Sequence, residues 1–189
     1  MSTIELQPTA AAHWHSLVTE AEQRAQHQLG EDVESYLVFL LQRFLSKPEI
    51  GTRVLAIDYL QGLLKSGWLQ HAHLREVADV SLLHAGFFPL RARRLRVSIS
   101  YYVKLGQGAY YQLHHHTPHR QGDLYASLCA SFVKAMDVLQ AMRTLDGEPL
   151  LDALGAHELW AQTGSTQARQ QLRQHTQGSA VEGGDERRH

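Results

Sequence analysis

Apolar residues recur at helical spacing along most of this chain. From Pro8 to Leu29, Trp14, Leu17, Val18, Ala21 and Ala25 fall at i, i+3, i+4, i+7 and i+11, which is one stripe of a helix that Gly30 is expected to stop. Val33, Tyr36, Leu37, Leu40, Leu41 and Phe44 form the next face, and Val38, Phe39 and Leu45 widen it enough to predict a central helix. Ser46 and Glu49 have capping-box spacing, with Pro48 tolerated in the first turn, so a third helix is expected to start there. Ile50, Val54, Ile57, Leu60 and Leu64 would be its buried stripe, and Gly67 suits a left-handed position past its end. Leu74, Val77, Ala78, Ser81, Leu82 and Ala85 mark a fourth helix.

Gly86 and Pro89 then bracket Phe87 and Phe88 at a corner. The stretch from Val97 to Leu105 alternates apolar and polar like a strand, yet Tyr102, Leu105, Gly106, Ala109 and Leu113 follow helical spacing, with Ser98 or Ser100 placed to cap. A helix is favoured, because one strand among helices would leave its backbone groups unpaired. Gly106 and Gly108 would let another helix approach closely. Pro118 ends this element, and Asp123 opens a long helix through Leu128, Phe132, Ala135, Leu139 and Met142, flanked by Tyr125, Cys129 and Met136. Asp146-Gly147 reads as a turn, Pro149 opens a shorter helix through Leu150, Leu151, Leu154 and Leu159 to Trp160, and Gly164 closes the packed part. Residues 165–189 are polar, with Leu172 and Val181 the only large aliphatics, so beyond a helical extension to about Gln174 a flexible tail is expected. The pattern predicts an all-α fold: a single-domain bundle of six or seven helices over residues 1–164, followed by that C-terminal tail.

Charge is distributed unevenly on this framework. The chain has 18 Lys and Arg against 19 Asp and Glu, yet Val80–Gly122 holds six basic residues, five histidines, four tyrosines and no acid. A single cysteine excludes an internal disulfide and suits a reducing compartment. No secretory signal or membrane-crossing run is evident, and the expected location is cytoplasmic.

The cationic stretch supplies the candidate chemistry. Arg91, Arg93, Arg94 and Arg96 carry guanidiniums able to grip oxyanions in bidentate fashion, unless they form a solvated face or pair internally. His84, at the edge of the fourth stripe, and Tyr101 and Tyr102 join them as candidate ligand or partner contacts, although tyrosines at helical spacing are most often core. The expected partner is an acidic protein surface or a small anionic ligand. Nucleic acid is disfavoured by the near-neutral pI of 6.9 and the lack of a recognisable binding motif. Phe87 and Phe88 would suit contact with a membrane surface, against the commoner core role. His115 and His119, in the cluster His114–His119, have the spacing to share a divalent transition metal. Consecutive histidines diverge around a helix, however, and Pro118 interrupts the pair, so no cofactor is the leading expectation. Cys129 has no basic neighbour in its turn and reads as a structural thiol. H-E-x-x-H, glycine-rich phosphate loops and G-x-S-x-G are all missing. The leading expectation is therefore a non-enzymatic binding or adaptor protein. The alternative is a metal- or small-ligand-binding bundle, in one version an enzyme, using His84 with the tyrosines or the histidine cluster.

Ala85–Pro89 (A-G-F-F-P), Ser100–Tyr102 (S-Y-Y), Gly106 and Ala109-Tyr110 together resemble a stretch of uncharacterised helical proteins of Gram-negative bacteria. It covers about a fifth of the chain. The resemblance implies that the corner and the tyrosine element are signatures of the fold, and it carries no activity, cofactor or site residue.

Overall fold

The computed structural model describes residues 9–46, 55–94, 96–144 and 150–182, and every described regular element is helical. Ten helices follow in order: α1 Ala10–Ala25, α2 Glu31–Ser46, α3 Leu55–Leu63, α4 Gly67–Gly86, α5 Pro89–Arg94, α6 Ile99–His116, α7 His119–Ala130, α8 Phe132–Arg143, α9 Ala153–Thr163 and α10 Thr166–Glu182. The all-α expectation stands, but the count exceeds six or seven. The Phe-Phe-Pro corner leads into the short α5, the expected long helix is interrupted at Ser131, and the polar tail contributes α10.

The architecture is organised around α4. Its residues Val77 to Gly86 are all buried, with α6 and α8 packed along it and α3 on a further side. This corrects the expectation that α2 is central: α2 packs mainly on α1 and α7, and Phe39 is 67% exposed. A wide apolar face is insufficient for centrality; α4 is enclosed because small residues let its neighbours close in. A Cβ on Gly86 would lie 2.6 Å from Leu139 Cβ, and one on Gly106 of α6 would lie 2.4 Å from the Phe132 ring and 3.0 Å from Ser81. Gly106 thus has the close-approach role its sequence position suggested.

Local signals account for several helix ends. Thr9 caps α1, and Ser98 caps α6 by accepting from Tyr101 N at 3.3 Å, which resolves the ambiguous stretch as helix. Asp152 caps α9, and Gly164 closes it at φ 72°. Gln26, at φ 55°, rather than Gly30 ends α1; the Gly30 carbonyl instead accepts the first amides of α2, from Val33 and Glu34. Gly67 is left-handed (φ 61°), although it opens α4 rather than following α3 directly. The α7–α8 pair begins at His119, before Asp123, and is interrupted for one residue at Ser131 (φ −94°, ψ 7°) while i→i−4 bonds continue through it.

Two further expectations are corrected. Ile57, Leu60 and Leu64 are exposed rather than buried, by 55%, 61% and 89%, because α3 turns Leu55 and Gly62 inward instead. Packing also continues beyond Gly164: Ser165, Gln167, Ala168 and Gln171 are buried against the domain. The fully buried Asp137 of α8 holds this segment, accepting from Ser165 Oγ at 2.5 Å, Thr166 N at 2.9 Å and Gln167 N at 3.3 Å, with His27, just past the end of α1, at 3.0 Å. A carboxylate placed on the amides of a helix N-terminus is favourable both as an acceptor and through the helix dipole. The capping box at Ser46–Glu49, the side chain of Leu45, the residues Ile50 and Val54, the Asp146-Gly147 turn, Pro149 and the stretch 183–189 lie outside the described residues.

Gly106→Ala is expected to destabilise the protein by roughly 1–3 kcal/mol, since the added methyl overpacks against the Phe132 ring and the Ser81 side chain of α4. Gly108→Ala meets only the Tyr59 hydroxyl, at 3.3 Å, and should stay within about 1 kcal/mol of wild type because the gain in helix propensity offsets a small shift. Urea unfolding of the two variants side by side measures the difference.

Candidate functional site

The enclosure of α4 creates a problem at Asp79, a carboxylate with 2% of its surface exposed in the middle of the helix. An unpaired charge there would be very costly, so neighbouring helices supply partners. Tyr36 of α2 donates to Oδ1 at 2.6 Å and Tyr110 of α6 donates to the same oxygen at 2.9 Å. Arg43 Nη1 donates to Oδ2 at 2.9 Å, and Arg75 Nε lies 3.7 Å from it while donating to the Tyr36 hydroxyl at 3.2 Å. Burial pushes the Asp79 carboxyl upward, against the Tyr36 hydrogen bond and the two guanidiniums that favour its charge. Burial, followed by the Asp79 charge, drives both phenols well above their ordinary range, so they remain donors. Tyr110 stacks on Tyr125, whose hydroxyl meets His71 Nε2 at 2.9 Å, extending the network toward the surface. Asp79 lines neither of the two clefts described below, and the arrangement serves as a polar clamp on α2, α4 and α6.

A second concentration of chemistry surrounds the corner. Pro89 starts α5 without needing an amide partner, while Phe87 N and Phe88 N both bond to Leu83 O. The two aromatics are half-buried: Phe88 packs on Phe44 at 5.3 Å, and the Arg143 guanidinium lies 5.7 Å over the Phe87 ring. Together with Leu90, Arg91, Arg94 and Leu150 they line a cleft of about 500 Å3. Three arginines thus share the lining of this cleft with apolar side chains. Among the described residues, no carboxylate lies within ion-pair distance of Arg91, Arg94 or Arg143.

His84 lies just behind this cleft. It is 2% exposed, stacks on Tyr102 at 5.0 Å, meets Phe88 edge-on, and its Nδ1 has no hydrogen-bond partner among the described residues. Burial, reinforced by Arg91, lowers its pKa to about 4, which keeps it neutral at ordinary pH.

The sequence candidates therefore separate. Arg91 and Arg94 share the cleft. Arg96, left-handed at φ 56°, lines a different cleft of about 410 Å3 between the start of α6 and α9, with Asp152 and Glu158; the side chain of Arg93 lies outside the described residues. Tyr102 is buried beside His84, whereas Tyr101 is 38% exposed and packs edge-on against Tyr102. His115 packs on the Tyr111 ring at 4.4 Å, and His119 begins α7 beyond the Pro118 corner. Among the described residues, no group of three or more His, Cys, Asp or Glu side chains is placed to hold a metal ion. No described helix is long and apolar enough to cross a membrane. Cys129 donates to Gln107 O at 3.4 Å and is raised by burial, consistent with a packing role.

Sequence reasoning missed Arg143, which reaches the cleft from α8 with no local signal. It also missed Asp79, whose signal was legible: an acid set within the apolar run Val77, Ala78, Val80. Comparison with protein-family models, curated proteins and solved structures gives no match for the chain.

Two measurements test these geometries. Asp79→Ala should cost about 3–5 kcal/mol, as expected when one partner leaves a buried ionic network, and Tyr110→Phe about 1–2 kcal/mol for one lost hydrogen bond, both read by urea unfolding. For His84 the folded pKa of about 4 lies below the unfolded value of 6.5, so the unfolded state takes the proton first as pH falls. Stability should be intact above about pH 6.5 and decline by roughly 1–2 kcal/mol toward pH 4, allowing for solvent screening. His84→Phe should flatten that part of the stability–pH curve.

Proposed function

We propose that the protein is a binding protein whose cleft, between the Phe-Phe-Pro corner, α5 and the end of α8, captures a small molecule joining an anionic head to an apolar body. The observation that carries this reading is that Arg91, Arg94 and Arg143 line one cleft together with Phe87, Phe88, Leu90 and Leu150, with no carboxylate paired to them among the described residues. Guanidiniums on an apolar wall favour a carboxylate or phosphate head through charge-assisted, bidentate hydrogen bonds, and the wall adds affinity by burying hydrocarbon. The cleft volume falls within the range common for small-molecule sites. An acidic protein surface is the competing partner, but a concave floor favours a compact ligand over a flat one. A reducing, cytoplasmic setting accords with the lone half-buried thiol of Cys129. Among the described residues that line the cleft there is no acid–base pair or nucleophile beside the arginines, which supports a binding reading over a catalytic one.

Calorimetric titration with octyl phosphate, octanol and inorganic phosphate tests this. Octyl phosphate should bind, with octanol and phosphate each at least about tenfold weaker because each offers only one of the two contacts. Arg91→Ala/Arg94→Ala should weaken octyl phosphate binding by about 10- to 100-fold while leaving the melting temperature close to wild type. Binding that is absent, or unaffected by the double substitution, removes the proposal; tighter binding of a glutamate-rich peptide than of octyl phosphate transfers it to a protein partner.

A further inference from the structure

The cleft of about 410 Å3 beside α9 differs in chemistry from the arginine cleft and carries an independent inference. One wall is the side of α9 that presents Leu154, Glu158, Leu159 and Gln162, and the other is formed by Val97 to Ser100 at the start of α6. A charge of each sign lines it, on Arg96 and on Glu158. Among the described residues neither forms an ion pair, with the other or with any third group. Asp152, also in the lining, is turned to its own helix and accepts from Gly155 N at 2.9 Å.

Arg96 stands where the backbone favours another residue. It follows α5 in the left-handed conformation, at φ 56°, and Val97 N bonds back to Ala92 O at 2.9 Å. Such a turn past a helix end is one that glycine adopts without steric cost and that a residue with a Cβ adopts at some expense to stability. Strain held at the rim of a concave site points to a use for the side chain that glycine would lack.

We propose that this cleft binds a small zwitterion with an apolar side chain, an amino acid or dipeptide of the leucine kind. The Arg96 guanidinium meets its carboxylate, Glu158 meets its ammonium, and Val97, Leu151 and Leu159 cover its hydrocarbon. Opposite charges held apart on one wall complement a ligand that carries both. A simple anion would set its head near Glu158 uncompensated, and a simple cation would meet Arg96 in the same way. The volume lies toward the lower end of the range for small-molecule sites, which suits a ligand of one or two residues. The site is independent of the Arg91–Arg94–Arg143 cleft, which has no acid in its described lining.

Calorimetric titration of the full chain with leucine, leucyl-leucine, leucinamide and isocaproate tests this. Leucine or leucyl-leucine should bind, and the tighter of the two identifies a free amino acid or a peptide as the source. Leucinamide lacks the carboxylate and isocaproate the ammonium, so each should bind at least about tenfold more weakly. Arg96→Gly should weaken the better ligand at least about tenfold while the melting temperature holds or rises, because glycine fits the left-handed turn. Glu158→Gln, at an exposed position, should weaken it by a similar factor with the melting temperature unchanged. Octyl phosphate should not displace it. The proposal is overturned if neither leucine nor leucyl-leucine binds at up to about 10 mM, or if isocaproate or leucinamide binds equally well. Binding that survives both substitutions, or that octyl phosphate displaces, overturns it too. Failure of octyl phosphate to bind on its own removes the arginine-cleft reading and leaves this one standing.

Discussion

The fold depends on satisfying one carboxylate. Once Gly86 and Gly106 allow α8 and α6 to close on α4, every residue of α4 from Val77 to Gly86 loses contact with water, including Asp79. Removing a charge from water costs several kcal/mol even after relaxation, and only well-directed partners offset it. Those partners fix the neighbouring helices. Tyr110 sets the rotation of α6, while Tyr36 and Arg43, two turns apart on α2, set that of α2. Apolar packing alone would tolerate a slide of α2 along the bundle; two hydrogen bonds to opposite oxygens of one carboxyl group do not. Arg43 and Arg75 remain 30% and 40% exposed, so the positive side of the network stays hydrated and only the negative side bears the cost of burial.

Periodicity made the helices legible because each buries a repeating face, as Val18, Ala21 and Ala25 of α1 and Leu128 of α7 do. Capping chemistry fixed Ser98 and Gly164 for the same local reason. Choosing the central helix failed because burial depends on what surrounds a helix, and α4 encloses Asp79, Ser81 and His84 that lower its apparent hydrophobicity, whereas Phe39 widens α2 without being covered. The tail was misjudged at its start for a related reason. Its anchor is Asp137, a polar contact from about thirty residues earlier, and counting aliphatic residues takes no account of it.

The candidate site was half legible. A run of arginines announces positive charge, but not direction: Arg91 and Arg94 reach one cleft and Arg96 another, because the chain turns left-handed at Arg96 before α6 begins. Arg143 joins the first pair only through tertiary structure. The stripe expected on α3 shows the complementary limit. Periodicity reports that positions are suited to burial without saying whether they are covered, and Ile57, Leu60 and Leu64 stay exposed, with α3 ending at Leu63.

The position of His84 explains how a cationic cleft and a buried imidazole coexist a few residues apart. A protonated His84 would place another positive charge, without a partner for Nδ1, against Arg91; burial and that arginine together hold it neutral down to about pH 4. Stacked flat on Tyr102 and edge-on to Phe88, the neutral ring behaves as one more aromatic wall supporting the corner. The positive charge of the cleft then resides on guanidiniums, which stay protonated in proteins. Its attraction for an anion is therefore constant across the physiological range, and any pH dependence of binding must come from the ligand's own head group or from loss of the fold below the range where His84 stays neutral.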